Sequence, residues 1–218
     1  MERPILLKAH EVRGILDGRQ SQLRRICKQV NADFWLENTR LNDDLRAEAL
    51  KAIIENCPFG QVGDRLWGRE TWEVCPHGYG AGKDSFDIRY RADGATIFHD
   101  LDADSERANH LTHIYDTRPE NLPSTQMPRW ASRILLEIVS VRVERLQDIS
   151  DMDAVAQGCK AVRDHCHVFE GSGYDKAGLC HGTPKIAFGC RWDEIHGSES
   201  WVENPWVWVV EFKRVDAS

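Results

Sequence analysis

Three groups of side chains in this 218-residue chain have the types and spacing to do chemistry. The first is His165-Cys166-His167, Cys180-His181 and Cys190. Imidazole nitrogen and thiolate sulfur at that density suit a tetrahedral zinc ion, with Cys166, His167, Cys180 and Cys190 as the ligand set. The spacing departs from the usual close cysteine pairs, and neighbours such as Cys180 and His181 rarely reach one metal. Surface histidines and small buried thiols are the commoner explanation, so no metal or other cofactor is favoured. Cys75-Pro76-His77 is a poorer version of the same cluster. The second group is Glu70, set between Arg69 and Trp72 with Trp67 just upstream. Beside a cleft it would be a general acid or base; buried, it would be the partner of an arginine, and that reading is preferred. The third is Arg129-Trp130, either a stacking platform for a nucleobase or a core tryptophan under a snorkelling arginine. Asp153 is a second carboxylate available to acid–base work with the histidines.

The chain must position these groups with a composition that excludes several classes. Its 28 Lys+Arg against 35 Asp+Glu give a net charge of -7, which argues against indiscriminate DNA coating. The charge is uneven: residues 1–28 sum to +4 and 118–145 to +2, whereas 29–117 sum to -8 and 146–218 to -5. Two basic segments meeting in space would form a positive groove for a phosphate backbone; paired with nearby acids they would be ordinary solvated faces. No apolar run approaches a membrane span, and Met1-Glu2-Arg3-Pro4 lacks a signal-peptide core, which predicts a cytoplasmic protein. Seven cysteines without C-x-x-C spacing predict reduced thiols. Of the eight tryptophans, Trp206 and Trp208 read as core.

The length suits one domain with insertions. Ile5-Leu6-Leu7 reads as a strand or helix entry, and Val12, Ile15 and Leu16 share a helical face ended by Gly18. Ser21–Ile26 looks extended. Residues 43–55 form the clearest helix, capped by Asn42, with Asp43 and Asp44 in its first turn. A turn at Gly63 leads into a strand through Thr71. Ile134–Leu146 alternates as a strand, and Ser150 with Asp153 makes a capping box for a short helix closed by Gly158. Trp192–Ile195 reads as about one helical turn, and Trp206–Phe212 as a final buried strand. Segments 29–60, 75–125 and 159–190 read as surface insertions. The fold class is α+β, strands interrupted by short helices, favouring a small barrel with helical additions.

Seven blocks in order carry a resemblance. They are Arg3–Leu6, Ile15–Arg19 leading to Arg24-Arg25, Gly63–Trp67, Arg69–Trp72, Met127–Arg133, Leu146–Ser150 and Asn204–Val209. Together they resemble the ASCH-domain proteins of phages and prophages, a branch of the PUA-like superfamily. The resemblance spans the chain and implies a single PUA-like β-barrel over 1–218, in a bacterial host, with a cleft that in relatives handles RNA or modified nucleosides. Family members that deacetylate N4-acetylcytidine use a lysine, a threonine and a glutamate. Here the matching positions are Gln20, Leu23 and Gln157. Glutamine takes no proton at neutral pH and leucine has no hydroxyl, so the resemblance does not extend to that mechanism.

A binding function is therefore expected in place of an enzymatic one. Gln20 and Gln22 could meet the edge of a base, with Ser21 between them, while Arg19, Arg24 and Arg25 could hold phosphates or pair with acids such as Asp17. Trp67, Arg69, Glu70, Arg129 and Trp130 complete the expected site, whose ligand is RNA or a modified nucleotide. The alternatives are a nucleoside amidohydrolase or ribonuclease using Glu70 or Asp153, and a phage protein that binds another protein. The site stands if Gln20, Arg24, Glu70 and Arg129 converge on one cleft.

Overall fold

The structure is a computed structural model and describes residues 1–28, 43–76, 85–100, 106–117 and 121–215. The Asn42 cap and His77 lie outside these residues. The chain runs β1 (Glu2–Leu6), α1 (Ala9–Leu16), β2 (Gln22–Ile26), α2 (Asp43–Glu55), β3 (Arg65–Arg69), β4 (Trp72–Pro76), β5 (Ser85–Tyr90), β6 (Thr96–Asp100) and α3 (Glu106–Thr117). It continues through β7 (Leu135–Arg145), α4 (Asp151–Ala156), β8 (Lys160–Arg163), β9 (Cys166–Val168), α5 (Gly173–Lys176), α6 (Pro184–His196) and β10 (Trp206–Val215). The fold is mixed α+β. None of these helices is long and apolar enough to cross a membrane.

The main sheet has five strands in the order β1-β3-β7-β10-β2. β1 and β3 run parallel and the other neighbours antiparallel. β7 and β10 form its spine because both are long runs rich in β-branched and apolar residues without proline, and β10 is apolar on both faces from Trp206 to Val210. Val207 and Val209 point to one side of β10, where they pack with Phe169, Phe188 and Trp192. Val210 and Phe212 point to the other, against Val12, Ile15 and Leu23. Between edge strands β1 and β2 no ladder forms among the described residues, so the sheet is open where a closed barrel was expected. Gly68 lets the layers meet: a Cβ there would lie 2.7 Å from Leu7 Cδ1 and 3.0 Å from Ile134 Cβ.

Two of the expected surface insertions are structured layers. Residues 75–125 supply β5, β6 and α3, and with β4 they make a three-stranded antiparallel sheet. Trp72, Val74, Ile88, Tyr90 and Leu111 form its own core, because the polar sequence hides an alternation too short to read. Residues 159–190 supply the β8–β9 hairpin and the first half of α6. That helix starts about two turns earlier than the single turn expected, at Pro184 instead of Trp192, because Thr183 caps it and Pro184 occupies its first position. Cys166 and Cys180 are joined as a disulfide, which corrects the expectation of reduced thiols for this pair. It also takes two of the four zinc candidates out of any thiolate ligand set. No metal-holding group of His, Cys, Asp and Glu occurs among the described residues.

Candidate functional site

A cavity of about 250 Å³ opens between α1, β2 and α6. Lys8, His10 and Glu11 come from the start of α1, Arg24 and Arg25 from β2, and Gln20 and Gln157 from the turns beside them. Phe188, Arg191, Trp192 and Ile195 come from α6, at the spacing that puts side chains on one helical face. The start of α1 is fixed by Glu11, whose Oε2 accepts from the Lys8 backbone at 2.8 Å. The same carboxylate takes two hydrogen bonds from Arg25, at 2.8 and 3.0 Å. Gly158, with φ +97°, turns the chain sharply after α4, a conformation that favours glycine. That turn leaves Gln157 facing Gln20 in an antiparallel bridge. Gly14 makes room: a Cβ on it would sit 2.9 Å from Gln20 Oε1.

Under this floor lies a chain of amides held by charge. Gln22, 1% exposed, donates from Nε2 to Asp153 Oδ1 at 2.7 Å and to Glu211 Oε1 at 3.3 Å. Its Oε1 accepts from Arg24 Nε at 3.2 Å and from Gln157 Nε2 at 3.0 Å. Gln20 Nε2 donates to the Gln22 carbonyl at 3.1 Å. Arg24 Nη1 lies 2.6 Å from Glu144 Oε1, an ion pair whose angle is off the hydrogen-bond direction. Arg142 bridges Glu144 and Asp153, at 2.8 and 2.7 Å, and also pairs with Glu211. Burial opposes ionisation of Asp153, but hydrogen bonds from Gln22 and Ser150 and the Arg142 charge outweigh it and bring the carboxyl to about 2.

The rim is cationic. Lys8 makes none of the ion pairs found among the described residues, and burial lowers its pKa despite the pull of Glu11. Arg191 donates to Glu194 at 2.8 Å and lies 3.1 Å from His10 Nδ1. Burial above all, reinforced by Arg191, Lys8 and Arg25 against the pull of Glu11, lowers His10 to about 4, so it is neutral at pH 7. The wall is aromatic. Trp192 donates to Ser200 Oγ at 2.9 Å and stacks on His196 with ring centroids 4.1 Å apart.

The residues expected to share one cleft divide. Gln20, Arg24 and Arg25 line the cavity, and Gln22 braces its floor from behind. Arg24 is wholly enclosed and held by Glu144, so its role is structural. Leu23 faces the main core, away from the cavity. Arg19 pairs with Asp17 and Glu170, both at 2.7 Å, and Ser21 joins the sheet through its backbone.

Glu70 lies elsewhere and is closed off: Arg133 donates to both its oxygens, at 2.8 and 2.9 Å. Arg69 stacks over Trp67 at 4.7 Å, Arg129 pairs with Glu2 at 2.7 Å, and Trp130 packs against the second sheet under Arg107. None of Trp67, Arg69, Glu70, Arg129 and Trp130 lines the cavity. Arg129, Arg133, Arg142 and Arg145, the described arginines of 118–145, are consumed in such contacts, so they do not supply the positive groove weighed from the charge distribution. Lys8, His10, Glu11 and the α6 residues were not anticipated. The signals that would have found them are the Lys8-to-Glu11 capping pattern and the helical spacing that starts at Thr183-Pro184.

Comparison of the chain with models of protein families, with curated proteins and with solved structures returns no match.

Proposed function

We propose that the protein binds nucleic acid and takes one nucleotide, from RNA or modified, into the cavity between α1, β2 and α6. The observation that carries this is the convergence on one small space of an amide floor, an aromatic wall and a cationic rim. Amides suit a base edge, aromatic and apolar walls suit its faces, and the rim cations suit phosphate. A cavity of about 250 Å³ is small beside most ligand sites and of the order of a single base with its sugar. The resemblance to phage ASCH proteins supports the same reading, since two of the positions it singles out, Gln20 and Gln157, face each other here. A PUA-like architecture belongs to that reading too.

A hydrolase is disfavoured on geometry. Glu70 is bound at both oxygens away from the cavity, and Asp153 is ionised and held by Arg142 and Gln22. One observation favours a second reading: Lys8 combines a lowered pKa with a place in the cavity, as a base or amine nucleophile requires. Incubation with acylated cytidine, followed for turnover that Lys8→Met abolishes, tests it.

The binding reading is tested by anisotropy of a short single-stranded RNA at stepped salt. Log affinity should fall linearly with log salt, by about 0.7 for each phosphate neutralised. Salt-insensitive binding, or none, overturns it.

A further inference from the structure

The hydrogen bonds under the cavity dictate which way its two floor amides face. Asp153 and Glu211 carboxylates only accept, so the Gln22 NH2 group must point at them and its Oε1 must point back. Arg24 Nε, which only donates, confirms that orientation. Gln157 can then meet Gln22 Oε1 only with its own NH2. Gln20 likewise meets a backbone carbonyl and must present its NH2 to it. Both donors are turned inward. The carbonyl oxygens of Gln20 and Gln157 accept no hydrogen bond among the described residues, although both residues line the cavity.

Residues paired in an antiparallel bridge put their side chains on the same face, about 5 Å apart at Cβ. The floor thus offers two adjacent acceptors, neither of them among the fully buried unpaired atoms of the described residues. A ligand that covers them must bring two adjacent donors, since a polar atom buried without a partner is costly. Among the four common bases only guanine presents two neighbouring donor groups on one edge, N1–H and the 2-amino group. Adenine and cytosine set a lone amine beside an acceptor nitrogen, and uracil flanks one N–H with two carbonyls.

We infer that the site selects guanine, with Gln20 and Gln157 accepting from N1–H and the 2-amino group and the rim cations holding the phosphate. This rests on the nucleotide reading above and specifies its base. Gln22 and Asp153 are positioning residues: they touch no ligand and set the polarity of the two that do.

The test is calorimetric titration of the full chain with GMP, IMP, AMP and UMP. IMP differs from GMP by the 2-amino group alone. A site built to hydrogen-bond that group should bind IMP about tenfold or more weakly, with AMP and UMP no better than IMP. Gln157→Met should bring the GMP-to-IMP ratio toward one while retaining the weaker, phosphate-driven affinity. If that variant does not fold, as judged by circular dichroism, the ratio in the unaltered protein decides. Equal binding of all four nucleotides overturns guanine selection and leaves the nucleotide reading standing. A Gln157→Met variant that folds and keeps the full ratio also overturns it. Binding of neither mononucleotide nor RNA overturns both.

Discussion

Glu70 and Gln22 are both almost fully buried in polar clusters rich in arginine and carboxylate, yet the two clusters are built to different ends. Around Glu70, Arg133 donates twice to Glu70 and twice to Asp93, and its guanidinium stacks 4.1 Å over the Tyr90 ring. Tyr90 in turn donates to the Ala131 carbonyl. That cluster satisfies itself. Around Gln22, the charges of Arg24, Arg142, Glu144, Asp153 and Glu211 are likewise paired, but the chain of hydrogen bonds continues outward through Gln157 and ends on oxygens that accept nothing among the described residues. A charged motif is a binding site only where its network is left incomplete on the side of an opening. The Glu70 cluster pins the second sheet to the first; the Gln22 cluster aims two amides.

The largest separation between the two should come from Arg133→Met. Removing one member of a buried pair strands Glu70 and Asp93 and should lower the unfolding free energy by about 3–5 kcal/mol. Urea denaturation measures that loss. RNA affinity, read under conditions where the variant is folded, should not change. A loss of affinity beyond the folded fraction would show that the clusters are coupled.

Asp153→Asn should act on both stability and binding, because it removes the charge that orients Gln22. Asp153 is lowered from the ordinary 3.8 to about 2 in the folded protein. A lowered carboxyl stabilises the fold fully above its unfolded pKa and ceases to do so as pH falls through the folded one. Its contribution is therefore present at pH 7 and lost between about pH 4 and pH 2, roughly 2 kcal/mol in all. The asparagine variant should be less stable by about that much at pH 7 and flatter across the acid window, as measured by urea midpoints at stepped pH. It should also bind RNA more weakly, since an asparagine amide no longer forces Gln22 to donate. Tyr90→Phe, back in the closed cluster, leaves the Ala131 carbonyl without its donor and should cost about 1 kcal/mol with no change in binding.

How much of this was legible in sequence depended on distance along the chain. The Ser150–Asp153 capping box, the 43–55 helix and the two long strands rest on patterns a few residues long and match the structure. Glu70 pairs with Arg133, as the preferred reading of it had an arginine partner, although it lies in the link between β3 and β4 and its partner is 63 residues away. The partners that give Gln22 its role are 131 and 189 residues away, and Gln157 lies 135 residues from Gln22, so no local pattern joins them. The α6 wall was lost for a different reason. Its glycine, cysteine and histidine content resembles a loop, and its apolar side chains are spread round the helix between the core and the cavity. Arg129-Trp130 left two readings open in sequence, a stacking platform or a core tryptophan under an arginine, and the choice fell to distant partners: Glu2 claims Arg129 and the second sheet claims Trp130.

The smallest expected effect on stability is the most direct test of the difference between a closed and an open cluster. Lys8 pairs with no carboxylate among the described residues, and the cavity surrounds part of its length. Replacing it with methionine keeps the stem and removes the charge. Burial already lowers the lysine pKa, so removing that charge relieves a desolvation penalty and the fold should be unchanged or slightly more stable. If the ammonium meets a phosphate, the RNA salt slope should fall by about 0.7 in Lys8→Met, with weaker binding at low salt and convergence with the unaltered protein at high salt. Arg129→Met, which removes a rim-like but paired arginine, should leave the slope unchanged. An equal fall in both variants would mean that diffuse surface charge drives binding, and the cavity would lose its claim to the phosphate.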